Sequence, residues 1–168
     1  MNRYTVAVLV RNQFGVLNRV TSMFRRRQFN INALTVSETE SNDYSRITVI
    51  FDGEEVKKQQ LINQLYKLPD VCSIKELSNE GAVSVELLLI KMENKPETRD
   101  DILAAAKGFG AQTVDYSKDS IIFQLTSDER RIDSFIDLMR DYTILEICRT
   151  GIVSLERGSS TIRKVTNY

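Results

Sequence analysis

Residues 10–20 read VRNQFGVLNRV, and this stretch joins a predicted strand to a predicted helix. Before it, apolar residues occupy every second position, at Tyr4, Val6, Val8 and Val10, and so lie on one face. This alternation predicts a strand over Arg3–Arg11. After it, apolar residues follow helical spacing at Val16, Leu17, Val20, Met23 and Phe24. The stretch therefore marks a strand–loop–helix unit, with turn-forming residues such as Asn12 and Gly15 in the loop.

Outward from this junction, the order of predicted elements is βαββαβ, and the same order then repeats. In the first half we predict strands over 31–40, 44–52 and 71–77 and a helix over 54–68 that Pro69 terminates. In the second half we predict a strand over 83–92, a helix from Lys95-Pro96-Glu97 to Lys107, and strands over 111–116 and 120–126. A helix capped at Ser127-Asp128-Glu129 follows, and then a last strand over 143–155 with a bulge at Gly151.

Two successive βαββαβ units predict an α+β fold with two tandem ferredoxin-like domains. We place the domains at residues 1–78 and 79–158, followed by a short polar tail at 159–168. In such a domain both helices cover one face of a four-stranded sheet, so the opposite face is expected to be open and to seek a partner. Open faces and sheet edges predict at least a homodimer.

The composition excludes several classes of function. Lys+Arg and Asp+Glu number 23 each, and the resulting net charge of zero argues against a nucleic-acid binder. No apolar run is long enough to span a membrane, and the N-terminal pattern does not match a signal peptide. We therefore predict a cytoplasmic protein, or the mature part of an organellar one, without a membrane partner. Cys72 and Cys148 occupy matching places in the fourth predicted strand of each half and are expected to be reduced, buried thiols.

The chain has no histidine, which removes histidine-dependent nucleophilic catalysis and the commonest metal ligand. The acidic residues Asp100-Asp101, Asp115 and Asp119 fall on different predicted elements and are interpreted as caps and turns. Phe109, Tyr116 and Phe123 are interpreted as core residues. We therefore expect neither a catalytic residue nor a metal site in this chain.

Two features have both a structural and a functional interpretation. Asn12 and Gly15 are explained as plain turn residues, or as part of a small-molecule site at the start of the helix, where free N–H groups and the helix dipole suit a carboxylate. In the second case Asn12 and Gln13 supply hydrogen bonds and Gly15 allows close approach to the backbone. The three arginines at 25–27 are typical of a solvated helix end, with docking to an acidic partner as the alternative.

Several segments together resemble a known family. They are N-x-x-G-V-L at 12–17, FNINALTV at 29–36, SRITV at 45–49, LLLIKM at 87–92 and RTGIVSLERG at 149–158. The first three resemble the ACT-domain opening of the small regulatory subunit of acetolactate (acetohydroxyacid) synthase. The last two resemble the C-terminal domain of that subunit, so the resemblance extends from residue 2 to 158.

The resemblance implies a non-catalytic regulatory subunit in valine, leucine and isoleucine biosynthesis. Such a subunit activates a separate catalytic subunit, which uses thiamine diphosphate, magnesium and FAD, and it conveys feedback inhibition by a branched-chain amino acid, usually valine. This chain itself is expected to hold no cofactor. The implied effector site lies between paired ACT domains and comprises Asn12, Gln13, Phe14, Gly15, Val16, Leu17, Asn30 and Ile31.

The sequence also departs from the family pattern. Phe14 stands where many relatives have a small residue or proline, and Ala82–Glu86 reads AVSVE where HVERE is frequent. The second half lacks an N-x-x-G loop, since its first turn is Glu93-Asn94-Lys95-Pro96, so effector sites are expected in the first domain only. The alternatives are a free-standing ACT amino-acid sensor of another pathway, or a small ferredoxin-like enzyme such as a phosphatase or isomerase.

Overall fold

The computed structural model describes residues 2–78 and 80–163. By packing, the chain forms two compact units. The first contains the chain up to Ser84 together with the part from Ile152 onward, and the second is Val85–Gly151. The predicted domain boundaries, between residues 78 and 79 and after residue 158, stay predictions. By packing, the segment from Ile152 onward belongs to the first unit.

The element order confirms the predicted α+β fold with two βαββαβ repeats. The elements of the first repeat are β1 (Asn2–Arg11), α1 (Val16–Arg26), β2 (Ile31–Glu38), β3 (Tyr44–Gly53), α2 (Glu55–Leu65) and β4 (Val71–Leu77). Those that follow are β5 (Ala82–Glu93), α3 (Arg99–Phe109), β6 (Gln112–Tyr116), β7 (Ser120–Ser127), α4 (Glu129–Met139), β8 (Ile144–Arg149) and β9 (Val153–Glu156).

Each repeat builds an antiparallel sheet with the first strand of the repeat at its centre. The strand order is β2-β3-β1-β4 in the first sheet and β6-β7-β5-β8 along the second, and β9 also pairs with β5. In the first sheet, Arg11 at the end of β1 pairs with Tyr44 at the start of β3, and Tyr4 pairs with Phe51. The β1–α1 loop and the β2–β3 turn therefore lie at the same end of this sheet.

The core of the first unit lies between its sheet and its two helices. Alternate residues of β1 and β3 point to the helices, and α1 and α2 contribute the facing apolar residues: Val6, Val8, Val10, Ile47, Val49, Phe51, Val16, Val20, Phe24, Leu61 and Leu65. At about 25 cal/mol for each Å² of apolar surface buried, this packing supplies the main stabilisation of the unit. The alternation predicted for β1 is thereby confirmed.

The opposite face of the first sheet differs from the expected open face. We name residues 152–163 the C-terminal strap, because within the first unit this segment crosses that face. Ile162 packs against Ala7, Leu77 and Ala82. Arg46 donates from Nη2 to the Ser154 carbonyl oxygen over 2.6 Å. The apolar residues of the face are consequently buried by the chain itself.

Polar contacts also hold the strap. Lys75 forms an ion pair with Glu156 and donates to Ser160 Oγ over 2.7 Å. Arg163 Nε lies 3.0 Å from Glu40 Oε1, and its guanidinium stands 5.4 Å from the centre of the Tyr44 ring. Residues 159–163 of the predicted polar tail thus include ordered contacts, whereas 164–168 lie outside the described residues.

The second unit has its own core between the sheet and α3 and α4. The residues predicted to face inward on α4 are buried, namely Ile132, Phe135, Ile136 and Met139. Beside this core, buried Glu86 accepts two hydrogen bonds from Arg149, from Nε at 2.7 Å and Nη2 at 2.8 Å. Arg149 Nη1 also donates to Asp133 at 2.9 Å. This bidentate pairing with Glu86 raises the pKa of Arg149 above its usual value.

The single last strand predicted over 143–155 is wrong. The chain forms β8 and β9 separately, because Gly151 adopts a φ of 77°, which an extended strand does not accommodate. Before that break, the Thr150 N–H donates to the Leu87 carbonyl oxygen over 3.1 Å. Local alternation of apolar residues continues through Val153 and Leu155, and β8 and β9 both pair with β5, so the pattern alone did not reveal the break.

Two further predictions of burial are wrong. Cys72 and Cys148 lie in β4 and β8 as expected, but both are exposed. Each strand is the last in its sheet order, so its side chains have fewer neighbours than those of the central strands. Tyr116 on the edge strand β6 is 53 % exposed, whereas Phe123 on the central strand β7 is fully buried.

Candidate functional site

The loop between β1 and α1 is built around Gly15. Gly15 adopts the left-handed conformation, with φ 81°, and occupies the N-cap position of α1. The next residue, Val16, is 3 % exposed and anchors the helix start in the core. The Gln13 N–H donates to the Arg11 carbonyl oxygen at 3.0 Å, which turns the loop back toward β1. Gly15 therefore has a backbone role, because L-residues rarely adopt this φ.

Asn12 joins this loop to the β2–β3 turn. Its Nδ2 donates to Glu38 Oε1 at 3.2 Å and to the Asn42 carbonyl oxygen at 3.0 Å. Its N–H donates to the Asp43 carbonyl oxygen at 2.7 Å. Asn12 is exposed, and its Oδ1 has no hydrogen-bond partner among the described residues. The side chain thus holds the turn and keeps one acceptor free.

The second repeat contains a structural equivalent of Asn12. Asn94 directly follows β5, its N–H donates to the Asp119 carbonyl oxygen at 3.0 Å, and its Nδ2 donates to the Ser117 carbonyl oxygen at 2.6 Å. Asn94 is, however, 5 % exposed, and its Oδ1 accepts from Arg99 Nε at 2.7 Å. Both asparagines therefore hold a turn, but of the two it is Asn12 whose Oδ1 remains an accessible acceptor.

The start of α1 is suited to an anion. Within the described chain, no side chain caps this helix and its first turn contains no acidic residue. By contrast, acidic residues lie in the first turns of the other helices at Glu55, Asp100, Asp101 and Glu129. The Val16 N–H donates to the Gln13 carbonyl oxygen at 3.3 Å, so the following N–H groups of the first turn and the positive end of the helix dipole are those available to a carboxylate.

Sequence reasoning missed Arg19, which lies one turn into α1. Its Nε and Nη2 contact Asp70 Oδ2 at 2.8 and 2.7 Å, and Nη1 lies 3.4 Å from the place where a Cβ on Gly15 would stand. Arg19 places a positive charge beside the loop, and Asp70, which is largely buried, holds it there. The spacing of four residues from Gly15 is the signal that would have indicated this proximity.

Apolar side chains around the loop are unusually accessible. Phe14 is fully exposed, and Leu17 and Val36 are 42 % and 41 % exposed. Val36 belongs to β2, which forms an edge of the first sheet. Accessible apolar side chains beside an edge strand are typical of a surface that a partner covers.

The predicted site residues do not all come together in one chain. Asn12 to Leu17 form one loop and helix start, but Asn30 and Ile31 lie at the other end of the sheet. Ile31 pairs with Phe51, whereas Arg11 pairs with Tyr44. These two positions are seven residues apart on β3, roughly 23 Å at about 3.3 Å per residue. A single site that uses both Asn12 and Asn30 therefore needs a second copy of the chain.

Metal binding and membrane insertion are two other kinds of function on which the described residues bear. Across residues 2–78 and 80–163, no group of three or more His, Cys, Asp and Glu side chains is arranged to hold a metal ion. In the same part of the chain, no helix has the length and apolar character needed to cross a membrane.

Comparisons with known proteins agree with this architecture. Residues 6–73 match the model of the AHAS small subunit-like ACT domain, and residues 85–158 match that of the small subunit of acetolactate synthase. A probable acetolactate synthase small subunit of Archaeoglobus fulgidus is 45 % identical over 157 residues, which cover 94 % of this chain and 98 % of the relative. The acetolactate synthase small subunit of Bacillus subtilis is 40 % identical, with coverage of 92 % and 90 %.

A solved structure extends the agreement to three dimensions. The acetolactate synthase small subunit from Thermotoga maritima superposes with a TM-score of 0.88 at 31 % identity, covering 95 % of this chain and 100 % of that one. The matches span both repeats and the C-terminal strap up to residue 158. This chain therefore belongs to the family of acetolactate synthase small subunits, with an ACT domain as its first repeat.

Proposed function

We propose that this protein activates the catalytic subunit of acetolactate synthase and conveys feedback inhibition by a branched-chain amino acid, most simply valine. The single observation that carries the proposal is the match of about nine-tenths of the chain to acetolactate synthase small subunits. The protein would accordingly act in the cytoplasm, in the pathway to valine, leucine and isoleucine.

The β1–α1 loop supplies suitable chemistry for an α-amino acid. The effector carboxylate would bind the N–H groups that follow Val16 in the first turn of α1, near the Arg19 guanidinium that Asp70 holds in place. The ammonium group would donate to Asn12 Oδ1, the acceptor that remains available. A branched apolar side chain would pack among accessible apolar residues such as Phe14 and Leu17. Gln13, Gly15 and Val16 would contribute backbone contacts.

The site would be completed by a second copy of the chain. If two copies pair in antiparallel fashion along α1 and β2, Asn30 and Ile31 of one copy approach the Asn12 loop of the other. This arrangement also covers Val36 on the exposed edge strand. Effector occupancy would then change how the two first repeats pair, a coupling typically of about 1–3 kcal/mol.

The cofactors belong, in this proposal, to the catalytic subunit. Thiamine diphosphate, magnesium and FAD would bind there, and this chain would contribute no reacting group. The β2–β3 turn offers a route for the signal, because Asn12 bonds Glu38 on one side and the strap residue Arg163 pairs with Glu40 on the other. The second unit, joined to the strap through residues 149–152, would transmit the change.

A reconstitution assay tests the proposal. Acetolactate formation by the catalytic subunit with its cofactors is measured with and without this chain, and against rising valine, leucine and isoleucine. The proposal expects activation by the chain and inhibition by at least one of the three amino acids. Activation without any inhibition would favour a role in assembly alone. Acyl-phosphate hydrolysis by the purified chain would instead support the enzyme alternative, and amino-acid binding without any activation would support the free-standing sensor.

A further inference from the structure

A hollow at the C-terminal end of α1 carries three positive charges. We name it the basic hollow; it has a volume of about 270 Å³ and is lined chiefly by Arg26, Arg27, Gln28, Phe29, Lys57 and Gln60. Arg26 and Arg27 come from the end of α1 and Lys57 from the start of α2. Two helix ends thus bring together cations that are about 30 residues apart in sequence.

The wall of the hollow is fixed by the way α1 ends. The Phe29 N–H donates to the Phe24 carbonyl oxygen and the Gln28 N–H to that of Arg25, both over 3.1 Å, and Gln28 adopts a φ of 58°. This pattern is a Schellman motif, with Gln28 where glycine is usual. The Phe24 and Phe29 rings meet edge to face at 6.4 Å, which ties the motif to the core.

The charges of the hollow are not compensated locally. In the part of the chain that the structure describes, Arg26, Arg27 and Lys57 form no ion pair, and no acidic side chain lines the hollow. Elsewhere in the same unit, cations such as Arg19 and Lys58 are paired with carboxylates. The negative end of the α1 dipole favours basic residues in its last turn, but it does not account for Lys57 on another helix. Like charges around a concave surface create a positive potential that attracts an anion.

We propose that the basic hollow docks an acidic segment of the catalytic subunit, a proposal that rests on the proposed function of this chain as its regulatory subunit. Arginine pairs carboxylates with two parallel hydrogen bonds, so Asp or Glu side chains match the hollow. Arg26, Arg27 and Lys57 are all exposed, so side chains of a protein surface can reach them. The Asn12 loop of the same chain lies at the other end of α1, whereas Asn30, which the proposed effector site takes from a second copy, directly follows Phe29 of the hollow.

Charge reversal with a matched control tests the proposal. The full-length double variant Arg26→Glu/Arg27→Glu removes two cations of the hollow, and the single variant Lys57→Glu removes the third. Arg25→Glu is the control, because Arg25 is exposed in the same run of arginines but does not line the hollow. Dissociation constants for the catalytic subunit are measured at low and high salt, with a polyglutamate peptide as competitor and melting curves for each variant.

We expect the double variant to raise the dissociation constant at least tenfold at low salt, Lys57→Glu severalfold, and Arg25→Glu less than twofold. The differences should shrink at high salt, and polyglutamate should compete for the wild-type chain. Equal weakening by all variants, or none by the double variant while it remains folded, would overturn the docking site and leave the proposed function standing. No association of the wild-type chain with the catalytic subunit would contradict the proposed function itself.

Discussion

The side chain of Asn12 donates to Glu38 across 3.2 Å and so ties the end of β1 to the end of β2. Two residues after Glu38, in the β2–β3 turn, Glu40 forms an ion pair with Arg163 of the C-terminal strap. The turn is therefore contacted on one side by the proposed effector loop and on the other by the strap. A ligand that engages Asn12 would act on a turn that the strap also touches.

Replacement of Asn12 and of its equivalent Asn94 separates effector binding from folding. Asn12→Ala should weaken valine inhibition about tenfold or more, because hydrogen bonds to a charged ligand contribute roughly 1.5–3 kcal/mol. Its loss of stability should be small, since Asn12 is exposed. Asn94→Ala should cost roughly 1–3 kcal/mol of unfolding free energy, because it leaves buried groups unpaired, without altering inhibition. Valine inhibition curves measure the effect on effector binding, and urea denaturation measures the effect on stability. If valine inhibited both variants equally, the role of Asn12 would be purely structural.

Gly15 should prove sensitive for its backbone conformation. Gly15→Ala forces an alanine to a φ near 81°, which costs about 1–2 kcal/mol. Gly15→Asn should lose less, because asparagine is enriched in the left-handed region. Gly15→Asp should in addition weaken effector binding, since its carboxylate would occupy the start of α1 and attract Arg19. Thermal melting and amino-acid titration distinguish these effects, and an unchanged melting temperature for Gly15→Ala would contradict the backbone role.

Stability should fall in acid because several surface carboxylates are bonded to lysines. Hydrogen bonds from Lys58 and Tyr4 lower the pKa of Glu55 below its ordinary 4.5, and bonds from Lys75 do the same for the pKa of Glu156. A carboxyl group with a lowered pKa stabilises the fold above its unfolded-state value, and this stabilisation is lost as pH falls through the folded-state value.

We therefore expect a nearly constant free energy of unfolding from pH 7 to about pH 5 and a decline below about 4.5. Lys75→Met should flatten part of that decline, because Glu156 then loses its lysine and keeps the hydrogen bond from Ser160 Oγ. Urea denaturation between pH 3 and 7 measures both. The same acid dependence in the wild type and Lys75→Met would show that this ion pair contributes nothing.

Most helices and strands of the fold could be predicted from patterns in short stretches of the sequence. The period-two alternation of β1, the helical spacing after Val16 and the cap at Asp128 each led to an element that the structure contains. At Gly151 the sequence predicted a bulge but not a break between two strands, because β9 keeps the alternation of β8 and pairs with the same strand, β5. Exposure of Cys72 and Cys148 depends on strand order in the sheet, which residue type does not specify.

The candidate site shows the same division between local and distant information. The loop from Asn12 to Leu17 is a continuous segment, so its place at a helix start was predictable from spacing. The contacts of Asn12 with Glu38 and Asn42, and of Arg19 with Asp70, join residues 26 to 51 positions apart and emerge only from the fold. The separation of Asn30 from this loop likewise follows from the register of β2 and β3.

Mixing two defective variants tests most directly the claim that an effector site is shared between two copies of this regulatory subunit. Asn12→Ala and Asn30→Ala chains are each reconstituted with the catalytic subunit, and then together after exchange of subunits, and valine inhibition is measured. Each variant alone should resist valine, whereas a mixed pair contains one site with both asparagines intact, so part of the inhibition should return. Resistance that persists in the mixture, with exchange of subunits verified, would contradict the shared site.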